Sequence, residues 1–320
     1  MKAEHLVKHT QLEASNIGVT LPSMEWFLHR IEKNDPYHFL RVNHAVIDKY
    51  CWKFVEYSGP IAEGFEKLPF DTLGEYIDNS DYDSISNSLL SQNTFGYFED
   101  QLTVEDKVKK FVEVFHGYKD VSPKFEISIS LGVGLGPICG RYVEHHPLQS
   151  ARLRIVSLLV EKNKYRFFHS GVLKHFSVMG ELPYFFDKLN RLGHQIVFLG
   201  PAYMKHFKDE YDIKNFHHIV TPLRSALDGY GDNVKEIQRI RDEKGKTILF
   251  HSTGHIASAW IAYQLKDDND IWGIDIGRSF DWDISNAATN DSEVDFPTVW
   301  TTSIDKKELV KHIIKLRNNY

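Results

Sequence analysis

The chain has little of several things. It contains two cysteines, Cys51 and Cys139, in 320 residues, too few for a disulfide framework, and no Cys-x-x-Cys pair marks a zinc or redox site. A reducing, cytoplasmic setting is the expectation. No window approaches the ~20 apolar residues of a membrane span, and the stretch MKAEHLVKHTQLEASNIG lacks the apolar core of a secretory signal. No membrane partner is expected. Positive charge is in the minority, since 38 Lys and Arg against 44 Asp and Glu leave a formal charge of -6. Such a balance gives no global attraction for nucleic acid, although it is compatible with a local basic patch. Long repeats and low-complexity tracts are missing too, so neither a solenoid nor an obvious flexible linker is expected.

What is present is ordinary for a globular protein with a large core, with 42% hydrophobic and 26% charged residues. The first part reads as mixed. SMEWFLHRIEK opens with a capping serine and carries apolar residues at helical spacing, and PYHFLRV alternates like a short strand. Residues 58–100 are rich in Gly, Asp, Asn and Ser and read as an irregular insertion, while TVEDKVKKFVEVFHGY reads as an amphipathic helix. From about residue 125 strand and helix candidates alternate. FEISISLGVGL, KYRFFHSG, HQIVFLG, NFHHIVT, KTILFHS, DIWGIDIG and FPTVWTT are the strands. PLQSARLRIVSLLVEKN, GELPYFFDKLNRLG, SALDGYGDNVKEIQRIRDEKG, GHIASAWIAYQLK and SIDKKELVKHIIKLRNN are the helices, the third interrupted near its glycines. Nearly continuous apolar strands separated by helices predict an α/β fold, a Rossmann-like parallel sheet flanked by helices. Residues 1–124 are then a mixed N-terminal portion and 125–320 the Rossmann-like portion, a single domain being the alternative.

In open parallel sheets ligands sit beyond the carboxyl ends of the strands. Four loops qualify, His169-Ser170-Gly171, Gly200-Pro201-Ala202-Tyr203, His251-Ser252-Thr253-Gly254-His255, and Asp275 to Asp283. Hydroxyls and backbone N–H groups at a helix start suit a phosphate, but Ser252 and Thr253 would equally serve as helix caps. The glycine cluster LGVGLGPICG fails the G-x-G-x-x-G test, because Pro137 or Cys139 stands at the third position. The pairs His145-His146 and His217-His218 point their members to opposite faces if extended, and His251 and His255 straddle a turn. No histidine metal site is predicted.

The segment WGIDIGRSFDWD concentrates the chemistry. Asp275 ends a buried strand, where an isolated charge is costly unless it is paired or used. Gly277 lets the chain turn close to a ligand, and Arg278 could clamp a diphosphate or hold Asp275 ionised. Asp281 and Asp283 have the D-x-D spacing by which sugar-nucleotide enzymes hold a divalent cation, and equally suit a solvated, helix-capping loop.

The succession IVFLGP, TPLRSALDGYGDNVKEIQRI, KTILFHSTGHIASAWIAYQL and WGIDIGRSFDW resembles the C-terminal half of the GT-D fold glycosyltransferases. In that family a strand ending in Gly-Pro-Thr-Ala precedes a helix, and an Asp-Ile-Gly-His segment follows the next strand. Ser252, Thr253 and Gly254 stand at the first motif, and Asp275, Ile276 and Gly277 match the second, with Arg278 in place of histidine. FLRVNHAVID resembles the family's N-terminal Arg-Phe-Gly-Asp-Gly-Glu, with Arg41 retained but His44 and Val46 where the acids would be. The resemblance implies a transferase using a nucleotide-sugar donor, commonly a UDP-sugar, and the missing acids imply weak dependence on manganese or magnesium.

On that reading Asp275, Asp281 and Arg278 are the catalytic candidates, one of the two carboxylates accepting the acceptor's proton and an arginine neutralising the leaving phosphate. Arg41, Asn43, His44, His169 to Gly171, Gly200, Pro201, His251 to His255 and Gly277 are the substrate-binding candidates. The acceptor is a carbohydrate, a protein or, by similarity in composition to phage proteins that glycosylate hydroxymethylated cytosine, modified DNA. That base would need flipping out of the duplex, and in the host cell the enzyme would be cytoplasmic. The terminal stretch Lys306 to Arg317 could contact phosphates or dock on the sheet with its lysines solvated. Two other functions fit the same loops, a nucleotide or sugar-phosphate binding protein without chemistry and a sugar-phosphate isomerase.

Overall fold

A computed structural model describes residues 22–42, 124–129, 168–169, 171–222 and 229–296. The insertion at 58–100, the glycine cluster, the helices expected from Thr103, Pro147 and Ser303, most of FPTVWTT, and Asn43, His44 and Ser170 lie outside the described residues.

The first helix, α1 (Met24–Glu32), starts where the Ser23 hydroxyl accepts the Trp26 N–H at 3.2 Å. Its Met24, Phe27, Leu28 and Ile31 recur at helical spacing and are buried together. Strands β1 (His38–Val42), β2 (Phe125–Ile129) and β3 (Phe168–His169) follow, then helices α2 (Gly171–Val178) and α3 (Leu182–Leu192). Helix α3 buries Leu182, Phe185, Phe186 and Leu189 and closes on Gly193 at φ 72°, a left-handed position that favours glycine. After β4 (Gln195–Gly200) come a 3-10 turn (Ala202–His206) and the short α4 (Phe207–Glu210), then β5 (Phe216–Val220) and α5 (Tyr230–Lys244). Strand β6 (Thr247–His251), α6 (His255–Gln264), β7 (Ile271–Asp275) and α7 (Asp281–Thr289) complete the described chain.

All seven strands among the described residues are parallel, in the order β3-β2-β1-β7-β6-β4-β5. The architecture is an α/β parallel sheet with helices on both faces. Strand β1 lies between β2 and β7, His38 opposite Phe125 on one side and Gly273 on the other, so the sheet takes strands from both sides of position 124. Cover on both faces of the sheet explains why β1 is buried throughout His38, Phe39 and Leu40 instead of alternating.

Side-chain alternation divides the core in two. One face carries Phe39, Ile196, Phe198, Ile248, Phe250, Trp272 and Ile274, covered by α1, α2, α3, the 3-10 turn, α4 and α7. The other carries Val197, Leu199, Leu249 and Ile271, covered by α5 through Val234, Ile237 and Ile240 and by α6 through Ile261 and Leu265. The chain therefore leaves β4 and β7 toward the first face and β6 toward the second.

Candidate functional site

That divergence marks the carboxyl end of β6, which lies between β4 and β7, as the switch point at which open parallel sheets form a ligand crevice. Its floor is tied down by the backbone. The Ser252 N–H donates to the Leu199 carbonyl at 2.8 Å, and the His251 carbonyl accepts from Ile276 N–H at 3.0 Å and Gly277 N–H at 3.3 Å. Helix α6 begins on one side of this floor, where the N–H groups of a first turn have no preceding helical carbonyl.

Asp275 ends β7 and is wholly buried. Its Oδ1 accepts Arg41 Nε at 3.1 Å, Arg41 Nη2 at 3.0 Å and the Gly277 N–H at 3.0 Å. The arginine that holds Asp275 in this way is Arg41 from β1. Arg278, expected as a possible partner, instead engages Asp281, its Nε lying 2.5 Å from Oδ2. The guanidinium of Arg41 occupies the space that a Cβ on residue 277 would need, and Gly277 adopts φ +45°, so this position requires glycine on two counts.

Asp281 and Asp283 are not the solvated capping loop that the sequence suggested. Asp281 is buried and is the first residue of α7, whose N-cap, Phe280, makes no side-chain cap bond. Its Oδ2 also accepts the Tyr203 hydroxyl at 3.2 Å, and burial, then the Asp281 charge, hold that phenol well above its usual range. Tyr203 follows β4, so this pair joins the β4 and β7 loops across β6. Asp283 accepts a short hydrogen bond from the Ser177 hydroxyl of α2. With both carboxylates turned to protein partners, the D-x-D spacing does not form a chelate. Among the described residues no group of three His, Cys, Asp or Glu side chains is placed to hold a metal ion.

Ser252 and Thr253 are not caps either. The N-cap of α6 is Gly254, at φ 80° and without a side-chain cap bond, and the Thr253 hydroxyl lies 3.1 Å from that of Ser258. Gly200 packs so closely under Met204 and Ser252 that a Cβ would meet both, and Pro201 beside it is buried. His251 is buried beside Asp275, its register partner, and among the described residues no hydrogen-bond partner reaches either ring nitrogen. Burial drives its pKa down to about 4, against the pull of the Asp275 charge. His38 lies over Gly273 and is held lower still, at about 3, by burial and then by the neighbouring His251.

The structure thus brings together Arg41, Gly200, Pro201, His251 to Gly254, Asp275, Gly277, Arg278 and Asp281. His255 is the first residue of α6. His169 and Gly171 do not join them, because β3 is separated from β6 by β2, β1 and β7. Four strand spacings of ~4.8 Å put roughly 19 Å between the two loops, beyond the reach of one diphosphate. Sequence reasoning overlooked His38 and the pairing of Tyr203 with Asp281. A histidine inside the apolar run of PYHFLRV is the signal that could have drawn attention to the first.

His217 and His218 do diverge as their spacing implies, the first reaching the Gln195 side chain at 2.9 Å and the second the Gly200 carbonyl at 3.3 Å. Among the described residues no helix is long and apolar enough to cross a membrane. Comparison of the chain with protein families, with curated proteins and with solved structures finds no match.

Proposed function

We propose that the chain is a glycosyltransferase that takes the diphosphate of a nucleotide sugar into the crevice around the end of β6. One observation carries the reading. The chain leaves β6 toward one face and leaves both of its neighbours toward the other, the arrangement at which open parallel sheets take ligands, and Arg41, held by Asp275, stands at its β7 side. The resemblance of IVFLGP, HSTGH and DIGR to GT-D segments supports a sugar-nucleotide donor, commonly a UDP-sugar.

In this reading Arg41 meets the charge that builds on the departing diphosphate, and the first turn of α6 adds backbone N–H donors. Asp275 is a positioning residue. Enclosed, and saturated at Oδ1 by three donors, it fixes the plane of the guanidinium instead of receiving a proton from an acceptor hydroxyl. Asp281 does the same for Arg278. The acceptor hydroxyl belongs to a carbohydrate, a protein or hydroxymethylated DNA.

The test is release of UDP from UDP-sugars, with and without each acceptor class, together with mass spectrometry of nucleotides that co-purify with the protein. Arg41→Met is expected to reduce turnover roughly 100- to 1,000-fold, the range seen when one donor to a developing anion is removed. A second reading, a nucleotide-binding protein without chemistry, is favoured by the enclosure of both aspartates. Tight UDP-sugar binding with no turnover for any acceptor would select it.

A further inference from the structure

Strands β4 and β7 flank β6, and the chain leaves both toward the same face, where the 3-10 turn after β4 packs against helix α7 after β7. One polar contact joins the two. The Tyr203 hydroxyl donates to Asp281 Oδ2 at 3.2 Å, and the same oxygen accepts Arg278 Nε at 2.5 Å. This bridge stands opposite α6, which leaves β6 toward the other face. Tyr203 and Asp281 are buried in it, whereas Arg278 keeps 11% of its side chain exposed. Arg278 is the member that reaches the surface.

Arg41 comes to the same loop from β1, its guanidinium lying against Gly277, the residue before Arg278. One loop thus gathers two arginines, each held by a buried aspartate, Arg41 by Asp275 and Arg278 by Asp281. A diphosphate matches this arrangement, with one phosphoryl group for each guanidinium.

We propose that Tyr203 is a positioning residue for the diphosphate: by holding Asp281 it fixes Arg278 against one phosphoryl group, while Arg41 meets the other. The inference rests on the proposed function for the nature of the ligand. Neither aspartate has to release its arginine. Arg278 engages Asp281 through Nε, and a guanidinium carries five N–H donors, so one guanidinium serves a carboxylate and a phosphoryl oxygen together. The hydroxyl suits the task, because burial, and then the Asp281 charge, keep the phenol protonated and donating at neutral pH. Its ring is set edge-on against Phe296, the centroids 5.0 Å apart. Without the hydroxyl, Asp281 is held from the Arg278 side alone and the two turn together.

Binding of UDP, by titration calorimetry, and of uridine, by ligand-observed NMR, to the parent and to Tyr203→Phe tests this role. The variant keeps the ring against Phe296 and is expected to fold. Its affinity for UDP should fall about tenfold, the scale of one hydrogen bond to a charged group, and its affinity for uridine should not change. A merely structural role would move both alike, and that result overturns the proposal, as does UDP affinity equal to the parent's.

A second background checks the route. Removing the ion pair whole, as Arg278→Met with Asp281→Leu, avoids leaving one buried charge alone. There Tyr203→Phe should cost no UDP affinity, and a repeated tenfold loss overturns the route through Arg278. The two readings fail separately. If the parent binds UDP but releases none from UDP-glucose with any acceptor, the transferase fails and the Tyr203 measurement still decides. If the parent turns over and Tyr203→Phe binds UDP as well as it does, only the present proposal fails. A parent that does not bind UDP overturns both.

Discussion

The two faces of the sheet are built from different material. One is packed with aromatic rings, among them Phe39, Phe198, Phe250 and Trp272, against Phe186, Phe207, Tyr211 and Phe280 of the covering elements. The other has aliphatic side chains at its centre and, toward the carboxyl ends of β6 and β7, the buried polar groups His251 and Asp275. Because strands alternate, every second residue of β6 alone shows the contrast, with Ile248 and Phe250 against Thr247, Leu249 and His251. The difference puts the aromatic packing on one face and the buried ionisable pair His251 and Asp275 on the other.

The first way to break this division is Phe250→Ala. Loss of the ring, which touches Phe185, Phe186, Phe198 and Phe280, should cost about 3–5 kcal/mol in urea unfolding. A loss below about 1 kcal/mol would show that the aromatic face is not the main support. A smaller effect is expected from Asp275→Asn on the opposite face. The amide still accepts from Gly277 and Arg41, so the cost should be about 1.5–3 kcal/mol, as for hydrogen bonds to charged groups. If the variant is as stable as the parent, the Arg41 contact does not hold the β7 loop in place.

The last test sharpens the contrast through pH. In the unfolded chain both histidines bind protons below about pH 6.5, whereas in the fold His251 resists to about 4 and His38 to about 3. Between those limits the unfolded state holds more protons. Stability is then fully present above pH 6.5 and falls as pH drops from 6.5 toward 4, by at most roughly 1.4 kcal/mol per pH unit for each histidine. Urea unfolding across pH 7 to 5 should be less steep for His251→Leu than for the parent. Equal slopes would mean that His251 is not held neutral by the fold.

Much of the fold was legible because the strands of a parallel sheet are apolar almost without a break, as in KTILFHS and DIWGIDIG. Gly193 ended α3 as its place in the sequence implies. Helices α2 and α7 and the 3-10 turn after β4 were not read. Each is short, eight and nine residues for the two helices and five for the turn. At the site, the end of β7 identified Asp275, but not its partner. Nearness in sequence favoured Arg278, whereas strand order placed Arg41 beside it. No local pattern encodes strand order, which also explains why His169 was grouped with residues that lie four strands away. The capping expected of Ser252, Thr253 and Asp281 failed for a related reason. Asp281 bonds Tyr203 and Arg278, the Thr253 hydroxyl lies beside that of Ser258, and Gly254 and Phe280 took the cap positions without side-chain bonds.

The central position of β1 has a consequence for how the chain is made. Translation delivers Arg41 well before Asp275, because β1 ends at residue 42 and β7 starts at 271. At ~5–20 residues per second this interval is on the order of tens of seconds. Once residue 129 has been made β1 can pair with β2, but its β7 edge has no partner until the interval ends. The sheet can close, and the crevice acquire its arginine, only after β7 has left the ribosome. A nascent chain stalled before residue 271 therefore carries an open central edge, which makes it a substrate for chaperones or for pairing with another unfinished copy.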